Sequence, residues 1–497
     1  MIDAVSRAGR STVRYRDLFR NREFSALFVA DVLSRIGSQL GKFALAALVY
    51  ERTNSPALTA ATFAVTYLPG VLGGPVLSTL ADRFPRRQLL ISCDLLRAAL
   101  TAVIALGTPR VEVALAVLLL VEFVRVPFGA ARMAILSDIL DGDRFVAGNA
   151  LVGTSQQVVQ VVGFAAGGFI VVLVGAQPAL LADMATYVLS AVLLGMFVVR
   201  RPAPAKARGQ KANLLRDTWE GIRVVRDTGR MPTLFWLLFL GPTVLATAEG
   251  LAIPYAEQLG LGTQAAGAFL AAPALGSAVG LVIVGRMTQR RREIVLVPFS
   301  LAVGLCVAAA GLTPFVVVIT GGLFLAGVAM GHIAHLQATI VGIVDQDVRG
   351  RVIGLGNTVL QIGQGLSILL AGVVAQATSI RSVLVCSGFA AAFVVLLVSV
   401  VGSPHGGRHR ADPRAQRRQR RELQKARDLA LARARRHRDP IAVPPPESLE
   451  SLVQSPTYDA PYTSTVNGSA GHVPSQTLGR RPGTQVSTVL PEYHVRT

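Results

Sequence analysis

Charged side chains occur inside stretches that are otherwise apolar, and the first such stretch carries three of them. Asp31, Arg35, Ser38 and Lys42 follow one another at intervals of 4, 3 and 4 residues, which places them on one face of an α-helix. A carboxylate beside a guanidinium in an apolar environment can take up a proton when the pair is disturbed. Asp31 and Arg35 are therefore interpreted as a proton-coupling site or as a purely structural ion pair. Lys42 lies near the far end of the stretch, and its side chain is expected to extend to the membrane surface.

Two later apolar stretches carry similar residues. Glu122 and Arg125 share one helix face and allow the same two interpretations, and Glu249 is a third candidate without an obvious local partner. An ionisable side chain within a membrane-spanning helix costs a few kcal/mol on insertion scales. Each of these residues is therefore a candidate for a functional role.

The stretches that hold these residues are too long for the core of a soluble protein. Of 497 residues, 52% are hydrophobic and 16% are charged, which argues against a soluble enzyme, a disulfide-rich secreted protein and a disordered chain. A membrane-spanning helix needs roughly 20 mostly apolar residues. Twelve stretches meet this requirement, and the fold class predicted is an all-α membrane protein. The stretches are residues 24–50, 57–80, 88–107, 111–131, 148–174, 178–199, 233–256, 264–286, 293–311, 314–337, 351–376 and 380–402.

Lys and Arg residues accumulate on one side of the predicted membrane. The flanks on that side carry 26 of them, including Arg132 and Arg144 in the loop after the fourth span, whereas the opposite flanks carry 3. Loops rich in Lys and Arg stay in the cytoplasm. We therefore predict a multi-pass protein of the plasma (inner) membrane with both termini in the cytoplasm.

A long basic loop after the sixth span divides the chain into two halves. A weak internal repeat supports this division, because Leu80-Ala-Asp82-Arg83 after the second span resembles Val284-Gly285-Arg286 after the eighth. Two six-helix bundles with a disordered basic cytoplasmic tail are therefore predicted. The predicted segments are an N-terminal segment 1–23, a first bundle 24–199, a central loop 200–232, a second bundle 233–402, a basic and partly helical segment 403–440, and a disordered tail 441–497. The basic segment is expected to bind anionic membrane lipids or to remain a solvated tail, with no specific nucleic acid as partner.

Several short motifs resemble those of one transporter family. They are Phe19-Arg-Asn-Arg-Glu-Phe, Leu80-Ala-Asp82-Arg83-Phe-Pro-Arg86-Arg87 and Gly148-Asn149-Ala150. Over residues 15–402 the sequence resembles the major facilitator superfamily, and it is most similar to the twelve-span drug and siderophore exporters, a group that includes the enterobactin exporter and the macrolide efflux proteins. The family motif after the second span reads Gly-x-Leu-Ala-Asp-Arg-x-Gly-Arg-Arg, and Ser78 and Pro85 replace its two glycines here.

The resemblance implies roles for the motif residues. Asp82 is expected to face the N-terminus of the eleventh span near Gly350 and to hold the state that is closed to the cytoplasm. We call this contact the conformational latch, with Arg83, Arg86 and Arg87 in it and Asp94 and Arg97 as its supports. The alternative is a positive loop that only fixes topology.

Two further motifs match the family less closely. Arg125 and Gly129 resemble a motif linked to proton transfer. Gly163, Gly167 and Gly168 resemble an exporter motif that packs the two halves together, with Phe164 in place of its proline. Ordinary close packing of helices is the alternative for these glycines.

Neutral polar residues in other spans could line a substrate path. Gln156, Gln160, His332, Gln361 and Gln364 are the candidates, although the glutamines could instead join helices and His332 could be a bonded helix-end residue. No metal site, cofactor or enzyme motif is predicted. We expect a proton-coupled exporter of amphipathic or hydrophobic small molecules that acts as a monomer. The alternatives are a flippase or uptake facilitator for lipids such as lysolipids on the same fold, and a non-transporting membrane scaffold or sensor that acts through its tail.

Overall fold

Helices make up all the regular structure in the described part of the chain. The computed structural model describes residues 15–72, 77, 79–107, 109–201 and 214–401. The predicted basic segment and disordered tail, residues 403–497, lie outside these described residues, and so do residues 1–14.

The described residues between 15 and 201 form nine helices, which we call the first segment. They are α1 (Tyr15–Leu18), α2 (Arg22–Thr53), α3 (Pro56–Ala64), α4 (Leu68–Leu72), α5 (Leu80–Arg83), α6 (Arg86–Gly107), α7 (Val111–Ile139), α8 (Gly142–Val174) and α9 (Ala176–Phe197). A single 3-10 turn, Val65–Tyr67, joins α3 to α4. The Asn21 side chain caps α2 by accepting a hydrogen bond of 2.9 Å from the backbone N–H of Glu23, which satisfies one of the free donors at the helix start.

The described residues from 214 to 401 form nine more helices, which we call the second segment. They are α10 (Leu214–Asp227), α11 (Met231–Gln258), α12 (Gly262–Arg286), α13 (Gln289–Ile294), α14 (Leu296–Leu312), α15 (Val316–Met330), α16 (His332–Ile343), α17 (Gln346–Ala377) and α18 (Ile380–Val401). Helix α10 lies in the predicted central loop, where the sequence predicts no helix. It packs on α17, because the Gly221 backbone approaches Leu355.

Ten helical stretches in the described residues are long and apolar enough to cross a membrane. They coincide with ten of the twelve predicted spans. Within the described residues, the predicted span 57–80 contains α3, the 3-10 turn and α4, and Pro69 lies in the first turn of α4. The predicted span 293–311 corresponds to α14, an apolar helix of 17 residues.

The loops are shorter than the sequence suggests. Helix α7 continues to Ile139 and α8 begins at Gly142, so that Arg132 and Arg144 lie within helices rather than in a loop. Arg132 is buried. The prediction that Arg132 lies in a loop is therefore wrong. The apolar run stops near position 131, whereas the helix continues for two more turns.

The two segments contact each other chiefly through α8 with α12 and α3 with α17, and α3 also contacts α11. A single cluster of buried apolar side chains includes Phe43 and Phe164 of the first segment and Leu251 and Phe269 of the second. A hydrogen bond also joins the two segments: the Ser55 hydroxyl donates to the Gln376 side chain at 2.8 Å.

The two segments separate toward the N-terminal end of α17. Gly354, Gly365 and Gly372 lie on one face of this helix, because their spacings of 11 and 7 residues are close to whole numbers of turns. Gly372 packs against Ala60 of α3 and Gly365 packs against Tyr67, whereas a Cβ at Gly354 would meet no atom within 4 Å. Within the described residues, the first half of this face is therefore open and the second half is covered.

Candidate functional site

A buried carboxylate on α2 contacts two guanidinium groups. The Asp31 side chain is 3% exposed, and its Oδ2 accepts hydrogen bonds of 2.9 Å from Arg35 Nε and 2.9 Å from Arg132 Nη1. Arg35 lies one turn along the same helix, as the spacing predicts, but Arg132 comes from α7. We call these three residues the Asp31 cluster.

A second buried carboxylate has the same arrangement. Glu122 on α7 is 3% exposed; its Oε1 lies 3.0 Å from Lys42 Nζ on α2, and its Oε2 lies 2.5 Å from Arg125 Nε. Lys42 was expected to extend to the membrane surface, and this expectation is wrong in the structure, because an ion pair inside the protein holds its ammonium group. We call Lys42, Glu122 and Arg125 the Glu122 cluster.

One antiparallel register of α2 and α7 produces both clusters. Asp31 and Lys42 are 11 residues apart on α2, and Glu122 and Arg132 are 10 residues apart on α7. A rise of 1.5 Å per residue puts the two clusters about 15 Å apart along the helices. The side chains of Arg35 and Arg125 are partly exposed, at 29% and 43%. Each cluster has one more cation than it has carboxylates.

Arg97 and Asp94 form a third buried centre, at the junction of α2, α6 and α9. Arg97 Nη1 lies 3.3 Å from Asp94 Oδ1, and its Nη2 donates a hydrogen bond of 2.9 Å to the Tyr187 hydroxyl. Its guanidinium also lies 4.0 Å from the Tyr187 ring centroid, close enough for a cation–π contact. Asp94 accepts a hydrogen bond of 2.6 Å from Ser190. Both residues were expected to support the conformational latch, and the structure places them instead in the interior, bonded to α2 and α9.

The latch residues are not brought together in this structure. Asp82 and Arg83 are exposed in α5, and the Asp82 carboxylate has no ion-pair partner within the described residues. No described residue lies within 4 Å of a Cβ built at Gly350, the position that Asp82 was expected to face. Arg86 bonds to Asp138 of α7, and Arg87 bonds to the backbone oxygen of Gly195 at the end of α9. These two arginines therefore tie together helix ends within the first segment.

Glu249 is the candidate carboxylate of the second segment. It lies on α11, and the Tyr67 hydroxyl, in the turn between α3 and α4, lies 3.5 Å from its Oε2. This distance is at the limit of a hydrogen bond. The pair nonetheless places the carboxylate at the contact between the two segments, beside the turn that packs on α7.

The three glycines of the exporter-like motif each face a neighbouring helix. A Cβ at Gly163 would meet the Gln39 side chain, and one at Gly167 would meet Phe43, both on α2. A Cβ at Gly168 would lie 2.8 Å from the Cα of Gly267 on α12. Gly168 therefore lies where the two segments approach most closely along α8.

The neutral candidates differ in accessibility. Gln156 and Gln160 on α8, and Gln361 and Gln364 on α17, are partly buried, and the Gln361 side chain packs against Gly70. His332 is fully buried: its Nε2 lies 3.0 Å from the Ser300 hydroxyl, and its Nδ1 lies 2.6 Å from the Ala329 carbonyl oxygen. Both ring nitrogens are thus occupied, and His332 does not line an open path in this structure. No group of three metal-ligating side chains occurs among the described residues.

Comparison with known proteins identifies relatives over most of the chain. A family model described as Major Facilitator Superfamily matches residues 27–367 and 252–444. The chain is 25% identical over 372 residues to YkuC, an uncharacterized MFS-type transporter of Bacillus subtilis (strain 168), a match that covers 71% of this chain and 85% of the relative.

Solved transporter structures share the fold at low identity. A bacterial homolog of the human lysosomal transporter Spinster, in an inward-facing and occupied conformation, is 16% identical with a TM-score of 0.59 and covers 76% of this chain and 96% of its own. The nucleoside transporter NupG is 15% identical with a TM-score of 0.61, covering 76% and 98%. A bacterial homologue of the iron transporter ferroportin, in an inward-facing state, is 15% identical with a TM-score of 0.59, covering 77% and 99%.

Proposed function

Because the chain belongs to the Major Facilitator Superfamily, we propose that it is a proton-coupled exporter of amphipathic or hydrophobic small molecules that works by alternating access. Membership of this family identifies the chain as an integral multi-pass membrane protein. It also identifies the chain as a secondary transporter of a small-molecule substrate rather than an enzyme. Export, and a drug-like or siderophore-like substrate, are supported by the resemblance to the exporters over residues 15–402.

The proposed architecture has twelve spans in two six-helix bundles. The segment from α3 to α5 and the short helix α14 then provide the two spans that length and composition alone do not identify. The distribution of Lys and Arg supports termini on the cytoplasmic side of the plasma membrane. The excess of Lys and Arg on that side remains when Arg132 is left out of the count. In that topology α17 begins at the cytoplasmic side, so the open half of its glycine face supports a cavity open to the cytoplasm.

The Glu122 cluster is the observation that carries the proposal of proton coupling. Glu122 is buried and holds two cations, and Arg125 lies on the helix that packs against the turn containing Tyr67. A change of protonation in this cluster would release a cation beside the contact that Tyr67 makes with Glu249. Protonation and the contact between the two segments can therefore influence each other. The Asp31 cluster offers a second site of the same kind.

The conformational latch belongs, in this proposal, to the opposite state. When the cytoplasmic side closes, Asp82 would approach the N-terminus of α17 near Gly350, where a helix dipole favours a negative charge. Arg83 would stabilise that contact, while Arg86 and Arg87 keep the ends of α6, α7 and α9 together as they do here. Gln156, Gln160, Gln361 and Gln364 are proposed to face the substrate.

Transport in inverted membrane vesicles with an acid interior tests the proposal. Dyes, macrolides and siderophores are added in turn, and substrate accumulation and loss of the pH gradient are followed together. We expect accumulation that is accompanied by proton efflux, and we expect proton efflux to disappear in Asp31→Asn or Glu122→Gln. Asp143→Asn, at an exposed carboxylate of α8, is the matched control and should behave as the unmodified protein.

Other outcomes would select the other functions. Accumulation without proton movement would contradict proton coupling and favour a lipid flippase or uptake facilitator. No transport of any compound, with a cellular function that is lost only on deletion of residues 403–497, would contradict transport and favour a scaffold or sensor.

A further inference from the structure

Asp183 on α9 is buried without a cation partner. The residue is 5% exposed, its Oδ1 has no hydrogen-bond partner, and it forms no ion pair within the described residues. Its carboxylate lies against the backbone of α2, because a Cβ at Gly37 or at Gly41 would overlap it. Glycine at these two positions therefore makes room for a carboxylate between two packed helices. Such a group needs a partner or a proton, because an isolated buried charge is very costly.

A small cavity with both polar and apolar lining adjoins this carboxylate. It offers about 20 Å³ to the centre of a water molecule, which is enough for about one water. Its polar lining comes from Ser38, Lys42, Thr101, Glu122, Asp183 and Tyr187. Asp183 and Glu122 thus line one cavity, and Lys42 lines it together with both carboxylates.

The other charged groups around Asp183 already have partners. Arg97 of α6 is bonded to Asp94 and Tyr187, as well as to Ser34 and Ser38. Helix α8 has no charged residue between positions 145 and 174. Lys42 of α2 and Glu122 of α7 are the charged residues that line the cavity with Asp183. Lys42 is therefore the cation that lines the cavity and can pair with Asp183.

Glu122 does not depend on Lys42 alone. Arg125 Nε lies 2.5 Å from Glu122 Oε2, and Lys42 occupies the other oxygen at 3.0 Å. If Lys42 moved away, Glu122 would remain paired with Arg125. The arrangement thus allows one lysine to alternate between two carboxylates without leaving a buried charge unpaired.

We propose that Asp183 is a proton-binding site and that Lys42 alternates between Glu122 and Asp183. With Lys42 on Glu122, Asp183 carries a proton on Oδ1 and is neutral. When Lys42 moves to Asp183, the O–H bond of Asp183 breaks and its proton passes to the water in the cavity. The carboxylate that forms pairs with the Lys42 ammonium. The role of this proton in export rests on the proposed function, but its binding does not.

Infrared difference spectroscopy of the full-length protein in nanodiscs tests the site with pH as the probe. A protonated carboxyl group has a C=O band that disappears on ionisation. We expect one such band to titrate as the pH rises, to be absent in Asp183→Asn, and to be unchanged in the control Asp143→Asn. In Glu122→Gln the band should disappear at a lower pH, because Lys42 is then free to pair with Asp183. In Lys42→Gln the band should persist to a pH higher by about 1 unit or more, because the cation that favours the charged form is gone.

Two results would overturn the proposal. Persistence of the band in Asp183→Asn, or a wild-type protein with no titrating carboxyl band, would remove Asp183 as the proton site. An unchanged titration in Lys42→Gln would remove the alternating lysine. Asp183→Glu keeps a carboxyl group and should restore the band, which separates loss of the site from misfolding of Asp183→Asn.

Failure of the proposed function is distinguishable from failure of this inference. A band that behaves as expected, in a protein whose transport moves no protons, would leave the Asp183 site standing and contradict proton-coupled export.

Discussion

At the scale of single residues, the four buried carboxylates of the first segment differ in the number of cations that they contact. Asp31 and Glu122 each contact two, Asp94 contacts Arg97, and Asp183 contacts none within the described residues. A carboxylate held by two cations resists protonation more than one held by none. The ability to exchange a proton is therefore expected to vary among these four positions.

Removal of both members of the Asp31–Arg132 pair should cost less than the sum of the two single removals. Asp31→Asn leaves Arg132 buried, and breaking a buried ion pair costs about 3–5 kcal/mol. Arg132→Gln leaves Asp31 with Arg35 alone. The double variant should be more stable than the sum of the two losses predicts, by about 0.5–3 kcal/mol. Thermal unfolding of the four proteins in one detergent measures this coupling.

The exposed carboxylate of Asp143 provides the control for this cycle. Asp143→Asn should leave the unfolding temperature unchanged, alone and together with Arg132→Gln. Strictly additive losses for Asp31→Asn and Arg132→Gln would show that the observed ion pair does not contribute to stability.

Sequence spacing predicts pairs within one helix and fails for pairs between helices. Asp31 with Arg35, and Glu122 with Arg125, follow from neighbouring positions on a helix face. The partners Arg132 and Lys42 depend on the register of α2 against α7, which no local pattern encodes. One signal was present: Arg132 lies 7 residues after Arg125, so both arginines lie on one face of α7.

At the scale of helices, small residues determine which elements approach each other. The backbones of α8 and α12 are close at Gly168 and Gly267, whereas at Gly37 and Gly41 the backbone of α2 packs against side chains of α9. The first approach joins the two segments, whereas the second lies within one segment. A larger side chain at the approach of α8 to α12 should therefore change the conformational state. A larger side chain at the approach of α2 to α9 should change stability.

Gly168→Val should shift the protein away from the state described here. The added side chain would overlap α12, and overpacking of this kind costs about 1–3 kcal/mol, which corresponds to roughly a 5-fold or larger change in the population ratio. The reporter is the rate of maleimide labelling at Gly354→Cys in a background without Cys93, Cys306 and Cys386. We expect slower labelling in Gly168→Val, because the opposite state covers this face of α17.

Gly153 on the same helix supplies the matched control. A Cβ at Gly153 would meet no atom within 4 Å, so Gly153→Val should not change the labelling rate. Equal rates for Gly168→Val and the unmodified protein would mean that the approach of α8 to α12 does not distinguish the states.

Most helices could be predicted from apolar runs, and the exceptions have identifiable causes. The run at 57–80 predicts one span, but in the described residues a 3-10 turn at Val65–Tyr67, just before Pro69, separates two shorter helices. Helix α10 is amphipathic and charged, so a search for apolar runs does not detect it. Helices α7 and α8 extend beyond their apolar runs because buried or partnered polar residues, such as Arg132, continue them.

At the scale of the whole molecule, the described residues of the two segments touch along the second half of α17 and leave the face at Gly354 open. The contacts named here between α3 and α17 lie in the second half of α17, ending at the hydrogen bond between Ser55 and Gln376. A transporter that alternates between two states must break these contacts in the other state.

Crosslinking at this contact should stop transport. In the cysteine-free background, Ser55→Cys with Gln376→Cys should react with a short reducible crosslinker, because the two native side chains are 2.8 Å apart. We expect transport in vesicles to fall with crosslinking yield and to return on reduction. The single variants are the controls. Full transport by completely crosslinked protein would contradict separation of these helix ends.

The general plan of the molecule could be predicted further than its internal contacts. Apolar runs and the distribution of Lys and Arg predict spans and orientation, and family motifs predict the family. The arrangement of α17 against α3 joins residues about 300 positions apart, as Ser55 and Gln376 illustrate. Such contacts depend on how all the helices pack together, and the sequence of either helix alone does not determine them.

The pairing of α2 with α7 has a consequence for biogenesis. Helix α2 is made first, yet the partners of Asp31 and Lys42 on α7 are synthesised about 80 to 100 residues later. At synthesis rates of 5–20 residues per second, this interval is roughly 4–20 s. A single Asp, Lys or Arg at the centre of a lipid-exposed helix costs about 2.5–3.5 kcal/mol. We therefore expect the insertion machinery to shelter α2 until α7 arrives, so that the two helices enter the lipid as a pair.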